Sequence, residues 1–358
     1  MTSRHKVLSV IALALVALLI GAFVSIMAGS SRPDAQPVPS STTSEPVSSE
    51  ATATVTTATI RSASPETVYR GGLYVEPWGA AATAAKELAE DGTDEQREAA
   101  ETIAAHSVAV WLSSFYDDEE LLALIDRNLV ESRKTGTTPV FVTYDIPNRD
   151  CGGKSAGGTE DAEEYLRRNQ LVADALQGQR AVVLVEPDSL GQLETCPDKT
   201  KGRTKTLSSA VTQFYRAGIP AYLDGGNSSW VDGDVMAERL RAAGIDHARG
   251  FFTNVANYQT EDDERAYAED LAESLGDDVH YVVDVGRNGT GWRGTWCNGE
   301  GAGLGRTPRV AENGQRIDAF LWVKTPGASD GRCTGGPRAG AWFADYAVDL
   351  VEHRREDS

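Results

Sequence analysis

The segment Ala181-Val182-Val183-Leu184-Val185 is apolar at every position. A strand with no polar alternate positions must be covered on both faces, and parallel sheets flanked by helices provide that cover. It is one of eight short apolar runs, at 70–76, 107–112, 138–144, 180–186, 219–223, 250–254, 279–284 and 318–323. Longer amphipathic stretches separate them, including 118–134, 160–177, 204–217, 233–243 and 260–275. Strands spaced by helices pair in parallel, so the class is α/β. Seven to eight such units within about 290 residues suit a closed or nearly closed, TIM-like β/α barrel. A doubly wound open sheet is the runner-up.

The apolar runs end on acids. Asp145 and Asp150 follow Tyr144, Glu186 and Asp188 follow Val185, and Asp224 follows Leu223. Asp284 closes Tyr281-Val282-Val283, and Asp330 lies beyond Leu321-Trp322-Val323. In parallel α/β folds the C-terminal ends of all strands gather on one face, so these acids are predicted to share a cleft there. A single loop Asp is usually just solvated. Several on one rim, interleaved with Trp78, Trp230, Trp292 and Trp296, suit a sugar whose C–H faces stack on indoles while its hydroxyls seek acceptors.

Composition narrows the chemistry. With 53 acidic against 34 basic residues the net charge is −19, which argues against a nucleic-acid partner and disfavours a basic lipid-binding face. The five histidines are scattered, so neither a histidine zinc site nor a Ser-His-Asp engine is expected. Gly153-Lys154-Ser155-Ala156-Gly157 fits a nucleophile elbow by letter, but no strand precedes it and no histidine is placed to serve it. It reads as a flexible loop. The glycines from Gly299 to Gly305 lack the lysine and frame of a phosphate loop. No cofactor or metal is called for.

Val7 to Ala28 is a 22-residue uncharged run behind Arg4, His5 and Lys6, a signal peptide or an uncleaved anchor within 1–29. Either places the rest of the chain outside the cytoplasm, secreted or held on the outer face of the membrane by this segment alone. Residues 30–67 are Ser/Thr/Pro-rich and read as a disordered spacer. A folded domain, expected to be monomeric, follows over 68–358. The four cysteines, Cys151, Cys196, Cys297 and Cys333, favour disulfides in an exported chain and permit three pairings. Sequential pairing would close loops of about 46 and 37 residues, each worth up to about 4 kcal/mol.

Val185-Glu186-Pro187-Asp188-Ser189-Leu190 and Tyr144-Asp145-Ile146-Pro147-Asn148-Arg149-Asp150-Cys151 resemble the two signatures of glycoside hydrolase family 6, the β-1,4-glucanases. Further similar stretches are Tyr222-Leu223-Asp224 to Trp230, Asn254-Val255 through Asn257-Tyr258, Arg287-Asn288-Gly289, Trp296-Cys297-Asn298 and Leu321-Trp322-Val323-Lys324 with Asp330. The resemblance runs from about 70 to 352.

It implies a distorted β/α barrel with a tunnel or groove over the strand ends, inversion at the anomeric carbon, and sequential disulfides. It also implies that Asp188 is the general acid, that Asp150 supports it, and that Tyr144 contacts a distorted sugar. Asp330 is the candidate base, or else a sugar-binding carboxylate paired with Lys324. An inverting pair stands roughly 6.5–9.5 Å apart. Asp224, Trp230, Asn257, Trp296, Asn298, Lys324 and Trp78 complete the expected substrate-binding set, with a β-1,4-glucan as partner. The short stretches between Gly291 and Trp296 and between Asp330 and Trp342 favour endo action, because they can hardly arch over a chain. Three positions depart from the family pattern: Asn227 for His, Gly286 for Ser and Ala328 for Glu.

Overall fold

The computed structural model describes residues 57–355. The expected leader or anchor and the spacer up to 56 lie outside the described residues, and so do 356–358. Among the described residues no helix is long and apolar enough to cross a membrane.

The chain enters through two short helices, α1 (Thr57–Ser62) and α2 (Pro65–Val68), and then α3 (Ala80–Asp91) and α4 (Asp94–Ala104). Strand and helix then alternate: β1 (Val110–Ser113), α5 (Asp118–Thr135), β2 (Val140–Tyr144), α6 (Ala162–Leu176), β3 (Val182–Val185), α7 (Arg203–Arg216) and β4 (Ala221–Asp224). There follow α8 (Gly233–Ala242), β5 (Gly250–Thr253), α9 (Glu261–Leu275), β6 (His280–Asp284), β7 (Arg309–Val310), β8 (Ile317–Leu321) and α10 (Ala344–Glu352). Local chemistry sets the helix limits. In α5, Asp117 and Glu120 form a reciprocal capping box, and Gly136 ends the helix in a left-handed conformation at φ 74°.

The sheet order is β1-β2-β3-β4-β5-β6-β8-β7, parallel except for the β7–β8 pair. The seven parallel strands, β1 to β6 and β8, follow one another in chain order, which makes a curled half-barrel, not the doubly wound alternative. Val183 and Val185 pack outward with the helices, whereas Val182 and Leu184 pack inward with Val140, Val142, Tyr222, Phe252 and Val282. Both faces of β3 are thus dry, as its unbroken apolar run requires.

Two expectations are corrected. The run at 70–76 is not a strand and contributes only a bridge from Leu73 to Thr138. Gly71 and Gly72 turn the chain at φ 79° and 89°, and a Cβ at Gly71 would meet Gly136 O at 1.9 Å. Ala109 N, just before β1, donates to Trp322 O, just after β8, at 3.0 Å, so the first and last parallel strands approach each other there. The last part of the expected spacer, 57–67, is folded rather than disordered. Arg61 donates to Ala248 O at 3.0 Å and Ile245 O at 2.6 Å, and buried Arg249 donates to Ile60 O at 2.5 Å while pairing with Asp318 at 2.6 Å. This cluster braces the end of the sheet opposite the acidic rim.

Candidate active site

Nine non-glycine residues have left-handed backbones among those described: Asn148, Asp150, Cys151, Glu186, Asp188, Asn254, Ala256, Asn298 and Thr334. All nine lie in loops past the C-terminal ends of β2, β3, β5, β6 or β8. Each costs of order 1 kcal/mol or more, and strain so concentrated marks a site the surrounding structure is built to hold.

The first holding element is Glu186, fully buried. Its carboxylate receives the backbone N–H of Asp145 on both oxygens at 3.0 Å and that of Ile146 at 3.0 Å. Burial and the nearby Asp145 push it up to about 7. Glu186 therefore staples the turn after β2 to the turn after β3, which brings Asp150 towards Asp188. Asp150 is oriented by Gln192 Nε2 on Oδ1 at 2.9 Å and by Ser155 N on Oδ2 at 2.7 Å. Gln192 also donates its backbone N–H to Asp188 O at 3.0 Å, so one residue grips both turns.

Asp188 is raised to about 8 by burial, then by the negative charges of Asp224, Asp150 and Asp330, against the pull of Lys324. Its side chain keeps partial solvent access. A carboxyl in that state is protonated near neutrality and can give its proton away. Asp224 lies underneath: it is buried, accepts Gly226 N at 3.1 Å, and faces the backbone amides of Asp188, Leu190 and Gly191. Asp284 is likewise turned inward, receiving Gly286 N at 2.9 Å, Ala256 N at 3.1 Å, Val323 N at 3.2 Å and Lys324 N at 3.3 Å.

Asp330 has both oxygens engaged. Oδ2 takes Arg287 Nη1 at 2.7 Å and Asn298 N at 2.8 Å, while Oδ1 takes Lys324 Nζ. Burial opposes its charged form, but Arg287 and Lys324 outweigh burial and hold it at about 2. So tightly held a carboxylate is a poor proton acceptor and a good fixed charge. Burial lowers Lys324 to about 8, with Asp330 pulling the other way. The Asn298 side chain is spent on the backbone of Gly331 and Cys333, each at 3.0 Å. The bridges Cys151–Cys196 and Cys297–Cys333 brace the loops of Asp150 and Asp330.

Tyr144 is half-buried, with the Arg149 guanidinium 4.3 Å over its ring. Trp111, unmarked in the sequence pattern, meets Tyr144 edge-on at 5.0 Å and donates to Val323 O at 2.8 Å. Trp230 and Trp296 are exposed at 39% and 49%, and Trp230 packs over Gly191, where a Cβ would lie 2.6 Å from its ring. Asn257 is half-buried, its Oδ1 accepting Tyr258 N at 3.2 Å. Trp78 is half-buried beside α5, with the Arg127 guanidinium 5.4 Å over its ring. The segment Gly153–Gly157, read as a flexible loop, is tied at its end, for Arg149 bridges Gly157 and Thr159 N donates to Asp145 O at 2.8 Å. At the departures, Asn227 and Ala328 are buried, and Gly286 N donates to Asp284. Among the described residues no group of His, Cys, Asp and Glu is arranged to hold a metal ion.

Fold and rim define a class, parallel α/β half-barrels that gather carboxylates on strained turns at the strand ends. Residues 69–354 match the family model of the Glycosyl hydrolases family 6, and the chain belongs to that family. Endoglucanase A of Cellulomonas fimi is 36% identical over 291 residues, which cover 79% of this chain and 62% of that protein. The chain therefore spans less than two thirds of that relative. A 1,4-beta-D-glucan cellobiohydrolase of Podospora anserina is 32% identical over 307 residues, covering 69% of this chain and 72% of the relative. The solved endoglucanase Cel6 from Mycobacterium tuberculosis, in complex with a methyl cellobiosyl-thio-cellobioside, superposes with a TM-score of 0.72 at 35% identity. That match covers 78% of this chain and 96% of the solved one.

Proposed function

We propose that this chain is an inverting endo-β-1,4-glucanase, with Asp188 as general acid. The observation that carries the reading is the placement of the Asp188 carboxyl, on a turn that Glu186 and Gln192 hold, where the charges of Asp224 and Asp150 act to keep it protonated. Asp188 gives its proton to the glycosidic oxygen as the bond from that oxygen to the anomeric carbon breaks. A water attacks the carbon from the opposite ring face, and its proton leaves through solvent towards Asp150. Asp330 serves in this account as a fixed charge that, with Lys324, holds sugar hydroxyls. The exposed Trp230 and Trp296 supply stacking faces. Both disulfides fit an oxidising, extracytoplasmic compartment.

Relatives of both endo and exo type are similar to this chain, so the mode of action rests on the loops. The stretch 329–342 is folded on itself: Ser329 N donates to Ala341 O and Gly340 N to Ser329 O, each at 2.9 Å. With Cys297–Cys333 pinning it, this stretch supports an open groove that admits the middle of a polymer. On soluble substituted cellulose, viscosity falls steeply per reducing end released. High viscosity with cellobiose accumulating from the first time points would favour exo action instead.

A further inference from the structure

Phe115 is 80% exposed, in the turn between β1 and α5 on the same rim as the acids. Leaving a phenyl ring in water forgoes roughly 1.5–3 kcal/mol of burial. Yet this turn is firmly constructed. Tyr116 N donates to Ser113 O at 3.1 Å. Arg168, buried in α6, spends Nη2 on Ser113 O at 3.4 Å and Tyr116 O at 3.2 Å, Nη1 on Asp118 at 3.0 Å and Nε on Asp145 at 2.9 Å. Asp145 is the residue whose backbone N–H Glu186 receives. The framework that sets the Asp188 turn thus also sets the turn that displays Phe115.

The neighbours of the ring give it a direction. The Arg149 guanidinium lies 5.9 Å from the Phe115 ring and 4.3 Å from the Tyr144 ring, so it spans the space between the two. Arg149 itself is fixed by donating to Ser155 O at 2.8 Å and to Tyr144 O. The Phe115 and Tyr144 rings thus lie near each other on the rim, with the buried Arg149 guanidinium in contact with both.

We infer that Phe115 is a further sugar platform, stacking a pyranose ring of a β-linked glucan beyond the one that Tyr144 contacts. This rests on the proposed glucanase function. The ligand is a pyranoside chain long enough to reach from the acids to the turn. Its C–H face covers the phenyl ring, and its hydroxyls are within the field of Arg149.

The test compares wild type, Phe115→Ala and Phe115→Trp on cello-oligosaccharides from the triose to the hexaose, reading kcat/KM for each length. The side chain is 80% exposed and its one ring contact is with Arg149, and equal melting temperatures verify that the fold does not depend on it. Wild type gains in kcat/KM as the chain lengthens. In Phe115→Ala that gain shrinks by roughly five- to tenfold, the size of one aromatic stacking contact, and Phe115→Trp restores it. An undiminished gain in Phe115→Ala, or a loss equal at every length, overturns the platform while leaving the glucanase reading standing. A wild type that cleaves none of the series overturns both.

Discussion

Glu186 receives the backbone N–H of Asp145 on both of its oxygens, each at 3.0 Å. This bond joins two chain segments 41 residues apart, one carrying Asp150 and the other Asp188. Replacing Glu186 by Ala leaves the buried amides of Asp145 and Ile146 without acceptors, at roughly 1–3 kcal/mol each. We therefore expect Glu186→Ala to lose about 2–5 kcal/mol in urea unfolding. A loss below about 1 kcal/mol would mean that the two turns hold their places without it.

Part of this arrangement is legible in the sequence, and the division has a physical cause. Unbroken apolar runs located seven of the strands, since burial on both faces leaves no alternative pattern. Arg309–Val310 was too short to leave one, and the apolar run at 70–76 concealed a glycine turn. Acids at strand ends were visible, but their direction was not. Asp284 is clamped by amides from residues 256, 286, 323 and 324, which come together only in three dimensions. Arg168 did leave a trace. It sits with Tyr165, Asn169 and Val172 on the buried stripe of α6, where an arginine needs buried partners.

A second prediction concerns the pH profile. Asp188 must be protonated to act, so activity falls as pH rises through about 8. Asp150→Asn removes one of the negative charges that raise Asp188, so the proton is lost at lower pH and the alkaline limb moves down. An alkaline limb that stays in place, measured as kcat/KM on a soluble glucan, would sever that link.

Stability carries the same signature. The folded Asp188 sits at about 8 and the unfolded one at about 3.9, so the native state binds more protons between these values. The stabilisation this gives is complete below about pH 4 and is lost as pH rises through 8. Asp188→Asn abolishes the dependence, so its melting temperature relative to wild type increases from pH 4 to pH 8. A constant or declining difference across that window would place Asp188 in an ordinary solvated environment.

The bridge Cys297–Cys333 spans 36 positions and anchors the loop of Asp330. Replacing both cysteines by Ser should cost about 3–4 kcal/mol on the loop-entropy scale. It should also raise KM for glucan more than it lowers kcat, because it loosens a charge that holds sugar rather than the acid. Unchanged thermal unfolding, or a fall in kcat alone, would contradict this assignment.

The central claim is that Asp188 supplies the proton to the leaving oxygen, and hydrolysis by Asp188→Ala tests it on two substrates. On an unactivated β-1,4-glucan, release of reducing ends should fall by about 10²–10⁴-fold, the usual contribution of general acid catalysis. On an aryl β-cellobioside, whose leaving group needs little protonation, the loss should be far smaller. Near wild-type turnover on the glucan, or equal losses on both substrates, would contradict the account.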